Sequence, residues 1–517
     1  MRRAIILTAM TLAVLCTKAQ QPLVSIDSYQ YADETQLWRL TGNAAGLSLD
    51  PEKLDSSANR GIAYFNAYHQ EGDYHRVQEG GMNNHLEFYT ERYQKIGRYL
   101  YGYGSFRFDM GRTKNRAWSD VLRSYNSNPY ISGSSVFGKY DNQDFELNAS
   151  LSSIRLGHFT YGASLLYKVG DLSRLRDPRS RINLAEYRLT PAVTYSIGQH
   201  TLGLAAHYDR RKEKLPNLTT VQTDPNMVYY VMTGMENATG TIGGYNGYMR
   251  EYVNHEFGIE LNYGFKGESL QSVNALTFDA GNEYVYGIYK YQPGKYRNRL
   301  FGLSTRNRIH DGNVLHSADL SIKYEEGSAD EYKEERITTT DATTGVSSIT
   351  WNRLMTYKNR YQLKKFDMDV HYRLTFTDQQ KSRGYVGAQY TLQNVSNKYL
   401  LYTSELKYAT SLLQIEGGAP LFGSHLWIEA KAGYNFSNKA DLALFNPETD
   451  YAVNVLLPDM DYYDANSFRG HLQLTYQMPI TIRGYTSNWF ASLYGDYLKA
   501  DHSLNRSTIG VTLGVYY

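Results

Sequence analysis

The sequence predicts an all-β protein that folds as a single transmembrane antiparallel β-barrel of about 18 strands, and counts of about 14 or 16 also fit the pattern. Polar and apolar residues alternate over stretches of about 10 to 13 residues, the length of a tilted membrane-spanning strand. After the first residues, no stretch approaches the ~20 consecutive apolar residues of a membrane helix. The final strand, Ser507 to Tyr517, alternates strictly and ends on an aromatic residue, as the closing strand of such a barrel does.

Residues 1–19 have the pattern of a signal peptide. Two arginines precede an apolar run from Ala4 to Leu15, and small residues follow, which favours cleavage after Ala19. The apolar run is too short to span a membrane as a helix. Because Cys16 is the one cysteine of the sequence, the mature chain would contain neither a disulfide nor a reactive thiolate.

Residues 20–59 form a predicted periplasmic lead-in before a barrel over residues 60–517. Within the lead-in, residues 41–47 read Thr-Gly-Asn-Ala-Ala-Gly-Leu. This stretch resembles the Asn-Pro-Ala-Gly-Leu segment near the N-terminus of the fatty-acid-transporter (FadL) superfamily and of the related PorV barrels. In that superfamily the segment is a hatch that enters the barrel, so the resemblance implies a hatch here. The alternative is a turn in the lead-in, because Gly and Asn favour turns.

The match to the hatch segment is not complete, since Ala44 replaces the proline. The matching residues, which are the predicted hatch residues, are Asn43, Ala45, Gly46 and Leu47.

The predicted strands have one apolar face and one polar face, and the polar faces carry charges of both signs. A large soluble β-sandwich also alternates, but its strands are not expected to reach the membrane-spanning length or to carry so many charges on one face. We therefore place the polar faces in a wet lumen, where charged side chains would set selectivity. The selectivity candidates are Arg107, Asp109, Glu260, Asp367, Asp369, Arg373, Glu429, Lys431 and Arg469.

The links between strands are short and long in alternation, which predicts short periplasmic turns and long extracellular loops. An even number of strands then leaves both chain ends in the periplasm. Long polar links are predicted over residues 111–143, 171–186, 210–253, 282–296, 325–355 and 437–466.

One of these links contains an acidic stretch with Asp459, Asp461 and Asp464. Carboxylate oxygens at such spacing can hold calcium, so these three residues are a candidate metal site. The EF-hand pattern is absent, and the alternative is a solvated loop.

Over its whole length the chain resembles a group of uncharacterised outer-membrane barrels of the Bacteroidota. The residues that carry the resemblance are the Ala19-Gln20 junction, the lead-in from Leu37-Trp38 to Leu47, the Tyr- and Gly-rich strands and the Tyr516-Tyr517 ending. The resemblance implies a location in the outer membrane and a barrel fold. It implies no particular activity.

For function, the first hypothesis is a passive channel or diffusion transporter for small or medium solutes, because a charged lumen suits polar cargo. The alternative is a structural or accessory barrel that docks a TonB-dependent receptor, a surface lipoprotein or a secretion complex. The lead-in is much shorter than the plug of a TonB-dependent receptor, so we expect no energised import by this chain alone.

An enzyme is the remote alternative. Asp501 and His502 are adjacent in a short predicted loop, where their side chains would point apart, so we expect neither a barrel hydrolase nor a cofactor. Net charge is +2 and no basic tract is present, which disfavours nucleic acid as a partner. The expected partners are outer-membrane lipid and lipopolysaccharide, and the barrel assembly machinery, which would read Ser507 to Tyr517.

Overall fold

The computed structural model describes residues 23–50, 59–123, 127–221, 227–242, 248–401, 403–423 and 425–517. The predicted signal peptide lies outside these described residues. The chain forms one closed antiparallel barrel of 18 strands, which confirms the predicted fold class. The barrel strands, labelled in chain order, are β1 Arg60–Gly72, β2 Met82–Ile96, β3 Leu100–Arg116, β4 Gly138–Ser153, β5 Phe159–Arg174, β6 Arg179–Ile197, β7 His200–Leu215, β8 Arg250–Lys266, β9 Leu270–Tyr286, β10 Gly294–Asp311, β11 Val314–Thr340, β12 Ser347–Asp378, β13 Lys381–Tyr399, β14 Ser404–Leu421, β15 Leu426–Ala443, β16 Ser467–Ile482, β17 Tyr485–Ala500 and β18 Asn505–Tyr516.

Each strand pairs with the next along the chain, and the last strand pairs with the first. In the closing pair, Ile62 of β1 lies opposite Tyr516 of β18. Beside them, Gly61 and Tyr517 exchange two backbone hydrogen bonds of 2.6 and 3.0 Å. Closure pairs every strand on both sides, which an environment without water requires. We call the barrel end that carries this junction the lower end, and the opposite end the upper end.

Short turns lie at the lower end. Gly198 and Gln199 alone join β6 to β7, and Gly312 and Asn313 alone join β10 to β11. The two glycines have φ of 58° and 56°. Positive φ is what a two-residue hairpin turn requires, and glycine adopts it without strain.

The upper links differ from the prediction at one place in particular. Residues 325–355, predicted as a polar loop, belong instead to β11 and β12, except for the turn at 341–346. The neighbouring strands pair with this hairpin only as far as Glu331 and Tyr361. Beyond that level β11 and β12 pair only with each other, up to Thr340 opposite Ser347, so the hairpin projects about 30 Å above its neighbours. Backbone pairing needs no apolar alternation, which is why the sequence pattern did not indicate a strand here.

The outward face of the barrel is apolar. On β8, Phe257, Ile259 and Leu261 are 63, 47 and 51% exposed. The residues between them on the chain, such as Glu260 and Asn262, are buried and face inward. A soluble protein would leave such a surface to aggregate, whereas lipid covers it in a membrane, so the alternation is that of a transmembrane barrel.

Helical segments are short. They are α1 Ile26–Thr35, α2 Leu457–Asp464, the 3₁₀ turns Trp38–Leu40, Ala44–Ser48 and Ile288–Lys290, and the π turn Ala452–Leu456. In the part of the chain that the structure describes, no helix is long and apolar enough to cross a membrane.

Three upper segments fold into the barrel mouth, and we call them together the upper closure. They are the described parts of residues 117–137, 216–249 and 444–466, and two of them contribute a small sheet. The short strands of the upper segments are Ser132–Ser134, Leu218–Thr219, Val228–Gly234 and Asn237–Ile242, of which all but Leu218–Thr219 form the small sheet.

The core of the upper closure is aromatic. The Trp118 ring lies 4.4 Å from that of Tyr230 and 5.6 Å from that of Tyr451, measured between centroids. These rings pack on inward-facing wall residues such as Leu363 and Val395. The apolar contacts fix the closure to the wall rather than leaving it in solvent.

Candidate functional site: the barrel lumen

The structure places all nine sequence-predicted selectivity residues on inward-facing positions, because each alternates with an outward-facing side chain on its strand. It does not bring them into one cluster. Arg107 and Asp109 line one part of the wall beside Glu87 and His85. Arg373 and Lys431 meet on another part, around a residue that sequence reasoning missed.

That missed residue is Glu416 of β14, which is 8% exposed. Its carboxylate accepts from Arg373 Nη2 at 2.6 Å and lies 2.9 Å from His371 Nε2 and 3.4 Å from Lys431 Nζ. Outward-facing Leu413 and Ile415 give β14 the same alternation as the other strands, and that signal could have found Glu416.

A cavity of about 310 Å³ lies beside this carboxylate. Its walls are almost wholly polar and carry both signs of charge. The lining residues are Ser304, Arg306, Asp319, Leu320, Ser321, Asp369, His371, Arg373, Gln389, Glu416 and Lys431. We call this cavity the polar chamber.

Residues 23–50 cross the lower end of the barrel inside the wall, and we call them the lumenal segment. Its helix α1 begins with Ser25 as N-cap, and Ser25 and Ser28 form a capping box. At the other end of α1, the Glu34 carboxylate accepts from Arg373 Nη1 at 3.0 Å and from Thr375 Oγ1 at 2.8 Å. The helix therefore touches the same arginine that holds Glu416.

Further polar contacts fix α1 to other strands of the wall. Gln30 Nε2 donates to Glu429 Oε1 at 2.9 Å, and Ile26 N donates to Gln477 Oε1 at 3.0 Å. Tyr29 donates to Glu91, and burial raises the pKa of the Tyr29 phenol well above its usual range. The phenol is therefore a donor at any physiological pH.

The predicted hatch residues lie in the lumenal segment and are buried against β2 to β8. Asn43 begins the turn Ala44–Ser48, because its Oδ1 accepts from Ala45 N at 3.1 Å. Its Nδ2 donates to Asn262 Oδ1 at 2.9 Å. The Ala45 carbonyl accepts from Ser152 and Thr160 at 2.9 and 2.7 Å.

Two of the hatch residues are fixed by close contacts, one steric and one a hydrogen bond. A Cβ on Gly46 would lie 2.3 Å from Cε3 of Trp38, so the indole ring occupies that space. The Leu47 carbonyl accepts from Tyr93 OH at 2.5 Å. On the wall, a Cβ on Gly162 would lie 2.3 Å from Ala45 N, so a wall glycine admits the segment's backbone. The segment and the wall are complementary here.

The three acidic residues considered for calcium lie on α2, at the upper closure. Asp459 is buried and accepts from Val77 N at 2.8 Å, while Asp461 and Asp464 are exposed. Among the described residues, the groups of three with metal-ligand spacing are elsewhere, on the lumen wall. Asp459 therefore anchors a loop in this structure.

Solved structures of other proteins resemble this chain at low identity and low TM-score. The FrpB iron transporter of Neisseria meningitidis is 10% identical, with 91% of this chain and 82% of that chain covered and a TM-score of 0.37. The outer membrane transporter YddB of Escherichia coli is 9% identical, with 87% and 80% covered and a TM-score of 0.40. OccAB3 of Acinetobacter baumannii is 9% identical, with 89% and 99% covered and a TM-score of 0.36.

At these identities and TM-scores, the likeness carries no argument about activity or cargo. No protein with a curated description matches the sequence. A family model does match, over residues 44–517, from the predicted hatch to the last residue. The chain therefore belongs to the family described as Family of unknown function (DUF6850).

Proposed function

We propose that this chain is an outer-membrane channel for small polar solutes, closed at both ends of the barrel and opened by displacement of the lumenal segment. The observation that carries the proposal is the position of the polar chamber, which the residues of β12 show from the lower end to the upper end. Near the lower end, Arg373 contacts the lumenal segment. Asp369 and His371 then line the chamber, and Leu363 packs into the upper closure. The polar chamber thus lies between two separate closures.

The charges in this chamber favour transport over a purely structural role. Glu416 is buried beside its charged partners, and a buried ion pair often stabilises a fold less than apolar side chains of the same size would. Ionisable residues inside a membrane protein are a functional-site hypothesis by default. Glu416, Arg373 and Lys431 supply both signs of charge, which suits a zwitterionic or polar solute.

The two closures differ in how they are held. The upper closure has an apolar core around Trp118. The lumenal segment packs smaller apolar clusters on the wall, around Ile26, Trp38 and Leu47. It is also held through polar groups such as Glu34 and Asn43, whose contacts water or a solute can replace. The lower end is therefore the end that we expect to open first.

The test is single-channel conductance in planar bilayers, with wild type compared with Glu34→Ala. Removing the Glu34 carboxylate takes two contacts from α1, so the open fraction should rise at least about tenfold, which corresponds to about 1.4 kcal/mol. The matched control is Glu268→Ala, which makes the same charge change in an exposed lower turn. Heat-modifiable gel migration verifies that each barrel is folded.

Folded barrels that stay silent as wild type and as Glu34→Ala would contradict the channel proposal. They would favour the accessory barrel instead, for which the projecting part of the β11–β12 hairpin is the specific observation. Its two edges have no partner strand within the barrel, and an exposed edge can pair with a strand of another protein. Co-purification of a surface protein that depends on this hairpin would then support docking.

A further inference from the structure

Two groups of one histidine and two carboxylates lie on the lumen wall, outside the polar chamber. One is His207, Glu256 and Asp279, and in each group the ligand atoms lie within 4.8 Å of one another. His207 comes from β7, Glu256 from β8 and Asp279 from β9, so three adjacent strands contribute one ligand each.

The strand register explains how these side chains meet. His207 and Asp279 both lie opposite Gly258, from its two sides. A Cβ on Gly258 would lie 1.9 Å from Asp279 Oδ1 and 2.5 Å from His207 Nε2. The two side chains therefore lean over the glycine, into space that any other residue would fill. Glu256 is two residues away on the same face of β8.

The side chains of His207 and Asp279 approach each other without forming a hydrogen bond. Nε2 and Oδ1 are 3.0 Å apart, and both are buried atoms without a hydrogen-bond partner among the described residues. Two ligands of one tetrahedral ion at about 2.0 to 2.2 Å are themselves about 3.4 Å apart. A small movement of either side chain would reach that separation, and a bound ion would satisfy both atoms.

One described cation, Arg188, borders this group but has a closer partner. Arg188 Nη2 is 3.7 Å from Glu256, but its Nε donates to Asp209 at 3.0 Å, so Asp209 is its closer partner. The second group, which contains Glu87 and Asp109, differs in this respect. There Arg107 Nε lies 3.2 Å from Glu87 and supplies the positive charge.

We propose that His207, Glu256 and Asp279 bind a divalent transition-metal ion on the lumen wall. One imidazole and two carboxylates suit Zn²⁺, Mn²⁺ or Fe²⁺, whereas Ca²⁺ and Mg²⁺ prefer oxygen ligands alone. Three protein ligands leave a coordination position for water or for a solute in the lumen. The site goes beyond the channel proposal, because a bound ion is measured without any solute flux.

The test uses the full-length barrel purified in detergent, freed of metal with a chelator and titrated with Zn²⁺ by calorimetry. Wild type should bind Zn²⁺ at this site with an affinity that Ca²⁺ in excess does not reduce. His207→Ala removes a ligand and should weaken binding at least about tenfold, and Asp279→Asn should also weaken it. X-ray absorption at the zinc edge should show a nitrogen neighbour at about 2.0 to 2.1 Å.

The matched control is His471→Ala. His471 Nδ1 lies 2.7 Å from Asp496 Oδ1 on the lumen wall, a histidine–carboxylate pair that belongs to neither group of three. Its loss should leave Zn²⁺ binding unchanged. Wild type that binds no Zn²⁺, or His207→Ala that binds it as wild type does, would overturn the proposal. Heat-modifiable migration of every variant excludes misfolding as the cause.

Discussion

Gly46 and Glu416 show how differently single residues of this protein are determined. Gly46 lies under the Trp38 ring, where a side chain would displace that ring. Its role follows from a local contact within one segment of the chain. Glu416 depends instead on side chains from β12 and β15, so its role exists only once those strands are in register with β14. The first kind of residue is visible in a short motif, and the second is not.

At the same scale, Asp50 gives the lumenal segment a pH dependence. Its carboxylate accepts from Trp38 N and Arg39 N, both at 2.9 Å. Burial raises the pKa of this carboxyl from 3.8 to about 6, against the opposing effect of those two hydrogen bonds. The docked segment therefore favours the protonated form. This stabilisation is complete below the ordinary pKa and is lost as pH rises through about 6.

We accordingly expect the lumenal segment to be more protected from protease at pH 5 than at pH 7.5. Asp50→Asn mimics the neutral carboxyl and should abolish most of the difference. Asp341→Asn, in an exposed upper turn, should retain it. Equal cleavage of wild type at the two pH values, with a protease active at both, would contradict this role for Asp50.

At the scale of elements, the upper closure is the part of the lumen that the strand pattern did not predict. Trp118 is 2% exposed and contacts rings from two other upper segments. Its packing joins loops that are more than 100 residues apart in sequence, as their numbering shows. The sequence pattern indicated polar loops, and only their packing on Leu363 and Val395 turned them inward.

Trp118→Ala should therefore loosen the upper closure. Deleting a buried tryptophan side chain costs about 3 to 5 kcal/mol, most of which would fall on loop packing, because the barrel wall is held by backbone pairing. We expect cleavage of residues 117–137 by protease added to intact cells, and a larger open fraction in bilayers. Phe137→Ala, at an exposed position of the same loop, is the control and should behave as wild type. Loops that stay resistant in Trp118→Ala would show that this ring does not hold the closure.

At the scale of the whole molecule, closure of the barrel depends on its last strand. β18 pairs with β17 on one side and with β1 on the other, and the Tyr517 ring packs over Gly61. The same strand was predicted to be recognised by the barrel assembly machinery, which stays a prediction.

Because the Tyr517 ring packs at the closing junction, Tyr517→Ser should lower the amount of heat-modifiable barrel in the outer membrane by more than half. Tyr99→Ser, which removes an exposed aromatic ring from a lower turn, should not, and equal loss in both variants would contradict a special role for the terminal residue.

The sequence by itself determined the barrel, its strand number to within a few strands, and which side chains face inward. The physical reason is that period-2 alternation and strand length depend on neighbours along the chain, so the nine selectivity candidates could be placed on the inner face without a structure. The tertiary structure alone decided what those residues meet. The Glu416 contacts, the His207–Asp279 approach over Gly258 and the two closures all join distant segments. They depend on the register between strands and on how loops pack, and neither leaves a local pattern in the sequence.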